Sequence, residues 1–215
     1  MFDTLYEDDY LLAIRKPFGM LVEGSQGDEQ SLEDLAQAKF GPKARACHRL
    51  DRETTGVVLF GKTARSHKEL SHLFATRQIR KEYWTIVEGL WPKKCSRIET
   101  QIAPLGGGKW TNVETEGKPA VSTFRILKQN KDFSLLQVLP KTGRTHQIRL
   151  HCHYVGHPIL GDGKYGNGDG HMALHARSLR FQHPETKQEI EIISEAPSHW
   201  KSWLESFGFD ESNSG

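Results

Sequence analysis

Short apolar runs and a few helical stripes alternate along the chain. Tyr10–Ile14 is a strand candidate that ends at Lys16-Pro17-Phe18-Gly19, where Pro and Gly mark a turn. Ser31 with Asp34 three residues on predicts a helix start, and Gly41-Pro42 its end. Gly56–Phe60 is a buried-strand candidate closed by Gly61. Thr63 can cap a second helix, with Leu70, Leu73 and Phe74 on one face. Tyr83–Val87 is aromatic and β-branched, hence strand. Val121–Leu127 and Phe133–Leu139 predict a hairpin across polar Lys128–Asp132. Thr145–Val155 reads as a helix capped by Thr145 and ended by Gly156, Gln188–Ile193 as the last strand. Ser198 is placed as the cap of a final helix bearing Trp200, Trp203, Leu204 and Phe207. Strands outnumber helices without strict βαβ alternation, so the expected fold is α+β, a mixed and largely antiparallel sheet with flanking helices. One domain over 1–209 is expected, followed by a fraying tail over 210–215. The glycine runs Gly106–Gly108 and Gly161–Gly170 lack the spacing of a nucleotide-binding loop and read as surface loops.

Composition narrows the class. Of the 215 residues, 36% are hydrophobic and 26% charged, and no apolar run reaches the roughly 18 residues of a spanning helix, so no membrane role is expected. The acidic start lacks the basic and apolar segments of a secretory signal. Three scattered cysteines make no disulfide framework, which suits a reducing, cytoplasmic location. Net charge is only +2, yet its distribution is uneven. Lys62, Arg65, Lys68, Arg77, Arg80 and Lys81 face a single acid, Glu69, within their stretch. That stretch predicts a local basic face on a nearly neutral protein; ordinary solvated helix faces are the alternative.

Two segments carry candidate chemistry. In Cys47-His48-Arg49-Leu50-Asp51-Arg52 an Asp sits between arginines just before an apolar strand. A guanidinium nearby keeps such a carboxylate ionised, ready to act as nucleophile or base; the alternative is a structural ion pair. In the second, Arg144-Thr145-His146-Gln147-Ile148-Arg149-Leu150-His151, a helix from Thr145 would put His146, Arg149 and His153 on one face and Ile148, Cys152 and Val155 on another. His146, His151, His153 and His157 raise a zinc possibility. However, His151 and His153 lie about 200° apart on a helix, and no Cys-x-x-Cys pair is present, so no metal is expected.

Together these segments resemble the RluA-type pseudouridine synthases. His48-Arg-Leu-Asp51 with Thr54-Thr-Gly56 is similar to the family's central motif, with Thr55 where Ser is usual. Lys16-Pro17-Phe18-Gly19 is similar to its first motif, with Arg15 where Asn is usual, and Arg80-Lys81-Glu82-Tyr83 to its tyrosine segment. Arg144–His151 followed by Gly156–Asp162, and Leu174-His-Ala176, match later motifs in the family's order.

The resemblance implies isomerisation of uridine in structured rRNA or tRNA. The C1′–N1 bond breaks, the base turns, and C1′–C5 forms without a cofactor. By carry-over Asp51 is the catalytic carboxylate, Arg149 its pairing cation, and Tyr83 the ring that stacks on the flipped base. Arg49 would enter the space the base vacates. Leu150, Arg144 and His146 join the substrate-binding set, with Lys16 as support only. The first motif lies within about a dozen residues of Met1, so no separate N-terminal RNA-binding domain is expected; a monomer is the default. A non-catalytic RNA-binding module and a metal-dependent hydrolase built on the histidines are the competing readings.

Overall fold

A computed structural model describes residues 2–24, 29–168 and 171–208. The chain runs β1 (Asp3–Glu7), β2 (Leu11–Lys16), α1 (Leu32–Phe40), β3 (Arg45–Ala46), β4 (Thr55–Gly61) and α2 (Ala64–Ala75). It continues with β5 (Arg80–Glu88), β6 (Arg97–Gly106), β7 (Lys109–Val113), β8 (Lys118–Gln129), β9 (Phe133–Pro140) and α3 (Gln147–Tyr154). β10 (Leu174–Gln182), β11 (Glu189–Ile193) and α4 (Ser198–Ser206) complete it. The fold is α+β, with largely antiparallel strand pairing.

Within the predicted span 1–209 the described residues form two compact units. One comprises Met1–Lys81 and Ala176–Glu195, the other Glu82–His175 and Ala196–Gly215. The tail expected to fray lies outside the described residues.

In the first unit the strand order is β1-β2-β4-β10, with β3 on β4 and β11 on β10. All seven residues of β4 are buried, as its continuous apolar run requires. Ser31 and Asp34 form a reciprocal capping box on α1, and Thr63 and Ser66 do the same on α2, so four backbone donors at helix starts are satisfied by side chains. β4 passes so close to β10 that a Cβ on Gly56 would stand 2.2 Å from the Ala176 carbonyl oxygen, and Gly56 also has φ +115°. Both facts demand glycine there.

The second unit orders its strands β5-β9-β8-β6-β7. Its core joins Ile86, Leu136, Val138, Phe124 and Trp91 to Ile148 and Cys152 of α3 and Trp200 of α4. The Gly106–Gly108 run, expected as a loose surface loop, is the turn of the β6–β7 hairpin, with all three glycines at positive φ. Ser198 is the first residue of α4 rather than its cap; Pro197 holds the cap position and makes no side-chain cap bond.

A Gly56→Ala variant should lose about 3 kcal/mol or more of stability, since positive φ and a backbone collision add. Urea denaturation of wild type and variant measures this; equal midpoints would refute the close approach.

Candidate active site

The segment that carries Asp51 is built by the first unit. β4 and β2 pair so that Lys16 lies opposite Gly56. Lys16 is fully buried, and its ammonium donates to the carbonyls of Pro17 (3.0 Å), Met20 (2.7 Å) and Arg52 (2.9 Å). The Gly19 N–H also donates to the Arg52 carbonyl, at 3.0 Å. The Lys-Pro-Phe-Gly turn is thereby fastened to the residue beside Asp51. Burial pushes the Lys16 pKa down to about 8, while the charges of Asp51 and Glu53 oppose the shift. Lys16 therefore meets backbone and supports the turn from within.

His48 holds the same turn from its other end. The Cys47 N–H donates to the Leu59 carbonyl (2.8 Å), and the Leu59 N–H donates back to His48 Nε2 (3.1 Å). An accepting Nε2 fixes the imidazole proton on Nδ1. The ring lies 4.3 Å from that of Phe74, centroid to centroid. Burial, with Lys81 nearby, lowers the His48 pKa to about 3. Asp51 itself is half-buried, and its carbonyl accepts the Thr54 N–H at 3.0 Å, closing the turn into β4. Arg49 projects outward, its side chain 75% exposed and one nitrogen 3.7 Å from Glu23.

The second unit holds the other candidate residues. Tyr83 is half-buried on β5 opposite Val138 and packs against the core cluster. Helix α3 starts at Gln147, two residues later than predicted, because His146 adopts a left-handed conformation (φ 55°) and Thr145 caps nothing there. Gln147 serves instead. Its Oε1 accepts from the Thr142 hydroxyl (2.6 Å) and the Arg144 N–H (3.0 Å), and its Nε2 donates to the Val121 carbonyl (3.0 Å) and Ser122 hydroxyl (2.9 Å). All four hydrogen-bonding positions of this buried amide are used, which locks the motif to β8. Sequence reading passed Gln147 over, although an amide amid apolar helix positions was the available signal.

Arg149 is 2% exposed, whereas His153 one turn further along α3 is exposed, so this side of the helix runs from buried to open. Its Nε and Nη2 grip Asp162 Oδ2 (2.8 Å) and Oδ1 (2.7 Å) as a bidentate pair, and Asp162 is 1% exposed. Asp162 Oδ1 also accepts the N–H groups of Lys164 and Tyr165. Burial works to raise the Asp162 pKa, but Arg149 and these two amides outweigh it and hold it below the usual value. The loop returns so tightly that a Cβ on Gly161, itself at φ +77°, would meet the His171 carbonyl oxygen at 2.2 Å. Asp162 is thus a partner of Arg149 that the sequence reading, which paired Arg149 with Asp51, did not name.

Tyr165 completes this cluster. Its ring lies 5.2 Å from the Arg149 guanidinium, and its hydroxyl is 2.7 Å from His146 Nδ1 and accepts the Trp110 N–H at 3.0 Å. Leu150, grouped above with substrate-binding residues, is 2% exposed and packs with Ile102 and Ala120, fastening α3 to β6 and β8. Arg144 is half-buried and donates from Nε to the Pro119 carbonyl (3.0 Å). His151 is fully buried. The Thr100 hydroxyl gives its proton to Asn112 Oδ1, so it accepts from His151 Nε2–H, and His151 Nδ1 finds no partner among the described residues. Burial lowers the His151 pKa to about 4. Among the described residues no group of three or more His, Cys, Asp or Glu could hold a metal ion.

The basic stretch Lys62–Lys81 divides into exposed Lys68, Arg77 and Arg80 and three cations with partners or partial burial. Lys62 binds Glu7, Arg65 binds Glu69 and Glu185, and burial pushes Lys81 down to about 8.

Two outcomes test this geometry. His48 has a folded pKa of about 3 against an ordinary 6.5, so acid protonates the unfolded chain first. Stability contributed above pH 6.5 should therefore fall by about 1.4 kcal/mol per pH unit between there and the folded pKa. Urea melts at pH 7.5, 6 and 5 should show a shallower acid decline in His48→Gln; parallel declines would contradict the assignment. For the ion pair, Arg149→Met or Asp162→Leu alone should each cost about 3–5 kcal/mol by stranding a buried charge, while the double variant recovers much of the loss. Additive losses would show that the two side chains are not coupled.

Comparison with known proteins gives the family and the fold. The RNA pseudouridylate synthase family profile matches residues 10–154. Ribosomal large subunit pseudouridine synthase C of Buchnera aphidicola subsp. Schizaphis graminum is 35% identical over 94% of this chain and 69% of its own length. That of Yersinia pestis is 37% identical over 90% of this chain and 64% of its own length, so the chain spans about two thirds of these relatives. tRNA pseudouridine synthase C of Vibrio cholerae serotype O1 is 31% identical over 99% of this chain and 98% of its own length. The solved structure of Human RNA Pseudouridylate Synthase Domain Containing 4 aligns with a TM-score of 0.82 and 26% identity, covering 98% of this chain and 94% of that one. With its motifs in order, the profile matched across most of its length and the fold shared, the chain belongs to the RNA pseudouridylate synthase family.

Proposed function

We propose that this protein isomerises uridine to pseudouridine in structured rRNA or tRNA, the two RNA classes named for its relatives. The observation that carries the reading is the fixed turn around Asp51. A buried ammonium binds the Arg52 carbonyl, the Thr54 N–H binds the Asp51 carbonyl, and the His48 imidazole ties the segment to the Leu59 N–H, so the turn presents its carboxylate in a fixed place. A module that only bound RNA would gain nothing from a carboxylate there, since carboxylates repel phosphates.

The reaction conserves composition. The C1′–N1 bond breaks, the uracil rotates, and C1′–C5 forms; the proton leaves C5 and N1 gains one. Asp51 is the catalytic carboxylate in this reading. Tyr83 offers an aromatic face to the extruded base, Arg149 provides the cation of the site, and exposed Arg49 fills the vacated stack. Arg144 and His146 contribute to RNA contact, and Asp162 holds Arg149. No helix among the described residues is long and apolar enough to cross a membrane. We place the protein in the cytoplasm as a monomer.

Because C5 loses its hydrogen, RNA labelled with tritium at uridine C5 reports turnover directly. Wild type should release tritium with or without a chelator. Asp51→Asn should release none, a loss of at least about 10³-fold in rate (roughly 4 kcal/mol), while binding RNA within about twofold of wild type. Parallel loss of binding and turnover would remove Asp51 from the chemistry; loss with chelator would bring back the metal hydrolase.

A further inference from the structure

Besides exposed Lys68, Arg77 and Arg80 of the first basic stretch, the chain carries a second group of cations. Residues 91–97 and 125–131 contain Lys93, Lys94, Arg97, Arg125, Lys128 and Lys131 and no Asp or Glu. Arg97 is held by Glu99. The two segments, both in the second unit, are brought together by the fold. Trp91 and Phe124 stack with ring centroids 4.8 Å apart, and Trp91 Nε1 donates to the Cys95 carbonyl at 3.0 Å. β8 shifts register between Ile126 and Lys128, and such a bulge re-aims the side chains that follow it.

The result is an open cleft of about 540 Å³. Trp91, Phe124 and Ile126 give it an apolar floor, Lys93, Arg125 and Lys128 a cationic rim, and no carboxylate lines it. Its size falls in the range of ligand sites, roughly 300–1,000 Å³. A neutral apolar ligand would make no use of three cations, and a free inorganic anion none of the floor. A nucleotide within a strand uses both, with phosphates on the rim and the sugar or base over the floor.

We propose that this cleft is a second RNA-docking site, formed by residues outside those assigned to isomerisation, which takes a stretch of substrate backbone flanking the target uridine. It rests on the reading that RNA is the substrate, and it assigns part of target choice to the second unit. The cleft supplies affinity without touching the reacting atoms.

The test replaces Lys93, Arg125 and Lys128 together by Gln. Filter binding of tritium-labelled rRNA and tRNA transcripts is measured across a salt series, and KM and kcat come from tritium release. The triple variant should bind at least about tenfold more weakly, with its log K against log salt slope shallower by about 2, as loss of three phosphate contacts predicts. KM should rise by a similar factor while kcat stays within about twofold. The charge-preserving set Lys93→Arg, Arg125→Lys and Lys128→Arg should behave as wild type. An unchanged slope and KM would overturn the proposal, as would a fall in kcat at constant KM. Weakened binding of polyglutamate with RNA binding intact would also overturn it, and would assign the cleft to an acidic protein. If the triple variant shows the predicted slope change in RNA binding yet wild type releases no tritium from any transcript, the docking site stands and the isomerase reading fails.

Discussion

A single buried ammonium organises the candidate catalytic turn. Lys16 comes from β2, yet one of the three carbonyls it binds belongs to Arg52, 36 residues later, beside the carboxylate that the reaction needs. A charge without solvent is costly unless its hydrogens are taken up, and here three carbonyls take them. Removing the lysine would strand those carbonyls; removing a carbonyl partner by moving the turn would strand the lysine. The constraint therefore works in both directions, and it fixes a loop that has little apolar surface of its own. Gly56 opposite Lys16 completes the arrangement, because the close approach of β4 to Ala176 leaves no room for the turn to slide.

The second unit reaches the same end with different chemistry. There a helix start must be held although His146 is left-handed and caps nothing. Gln147 takes up four hydrogen bonds to do it, and Arg149, two residues further on, is held by Asp162, whose own carboxylate is fed by two amides. Buried ion pairs seldom add stability over a well-packed apolar pair. Their retention here is better understood as a means of presenting a guanidinium in one orientation. The unpartnered Nδ1 of His151 fits the same logic: protonating it would bury a donor with nothing to accept, so the ring is kept neutral inside the helix.

Much of this was legible beforehand because it rests on local chemistry. Capping residues marked α1 and α2, the apolar run marked β4, and the polar break marked the β8–β9 hairpin. What escaped was set by long-range packing. β6 alternates Ile98, Thr100 and Ile102 but carries Pro104, which argues against a strand until one sees β7 paired along its edge. β10 has no β-branched residue at all and becomes a strand only through its neighbours β4 and β11. At the site, the motif residues were legible and their partners were not. Asp162 stood at the end of a matched motif, but nothing in the spacing of 13 residues from Arg149 says that the chain turns back to meet it. The packing of Leu150 against Ile102 and Ala120 was likewise invisible in the spacing.

The fate of the basic residues carries the same lesson for function. Counting cations along Lys62–Lys81 gives an apparent basic face, and folding divides it, leaving Lys68, Arg77 and Arg80 exposed and setting others beside carboxylates. Lys62 and Arg65 are matched by carboxylates from segments far off in sequence, Glu7 and Glu185. Lys81 is held away from water, where its ammonium form is disfavoured. The segments around Trp91 and Ile126 have fewer cations each, and sequence proximity gives no reason to group them. Folding sums their charges over one apolar floor with no acid on its lining. For a protein of net charge +2, that local imbalance matters more than the total, because screening confines each charge's influence to about 8–10 Å.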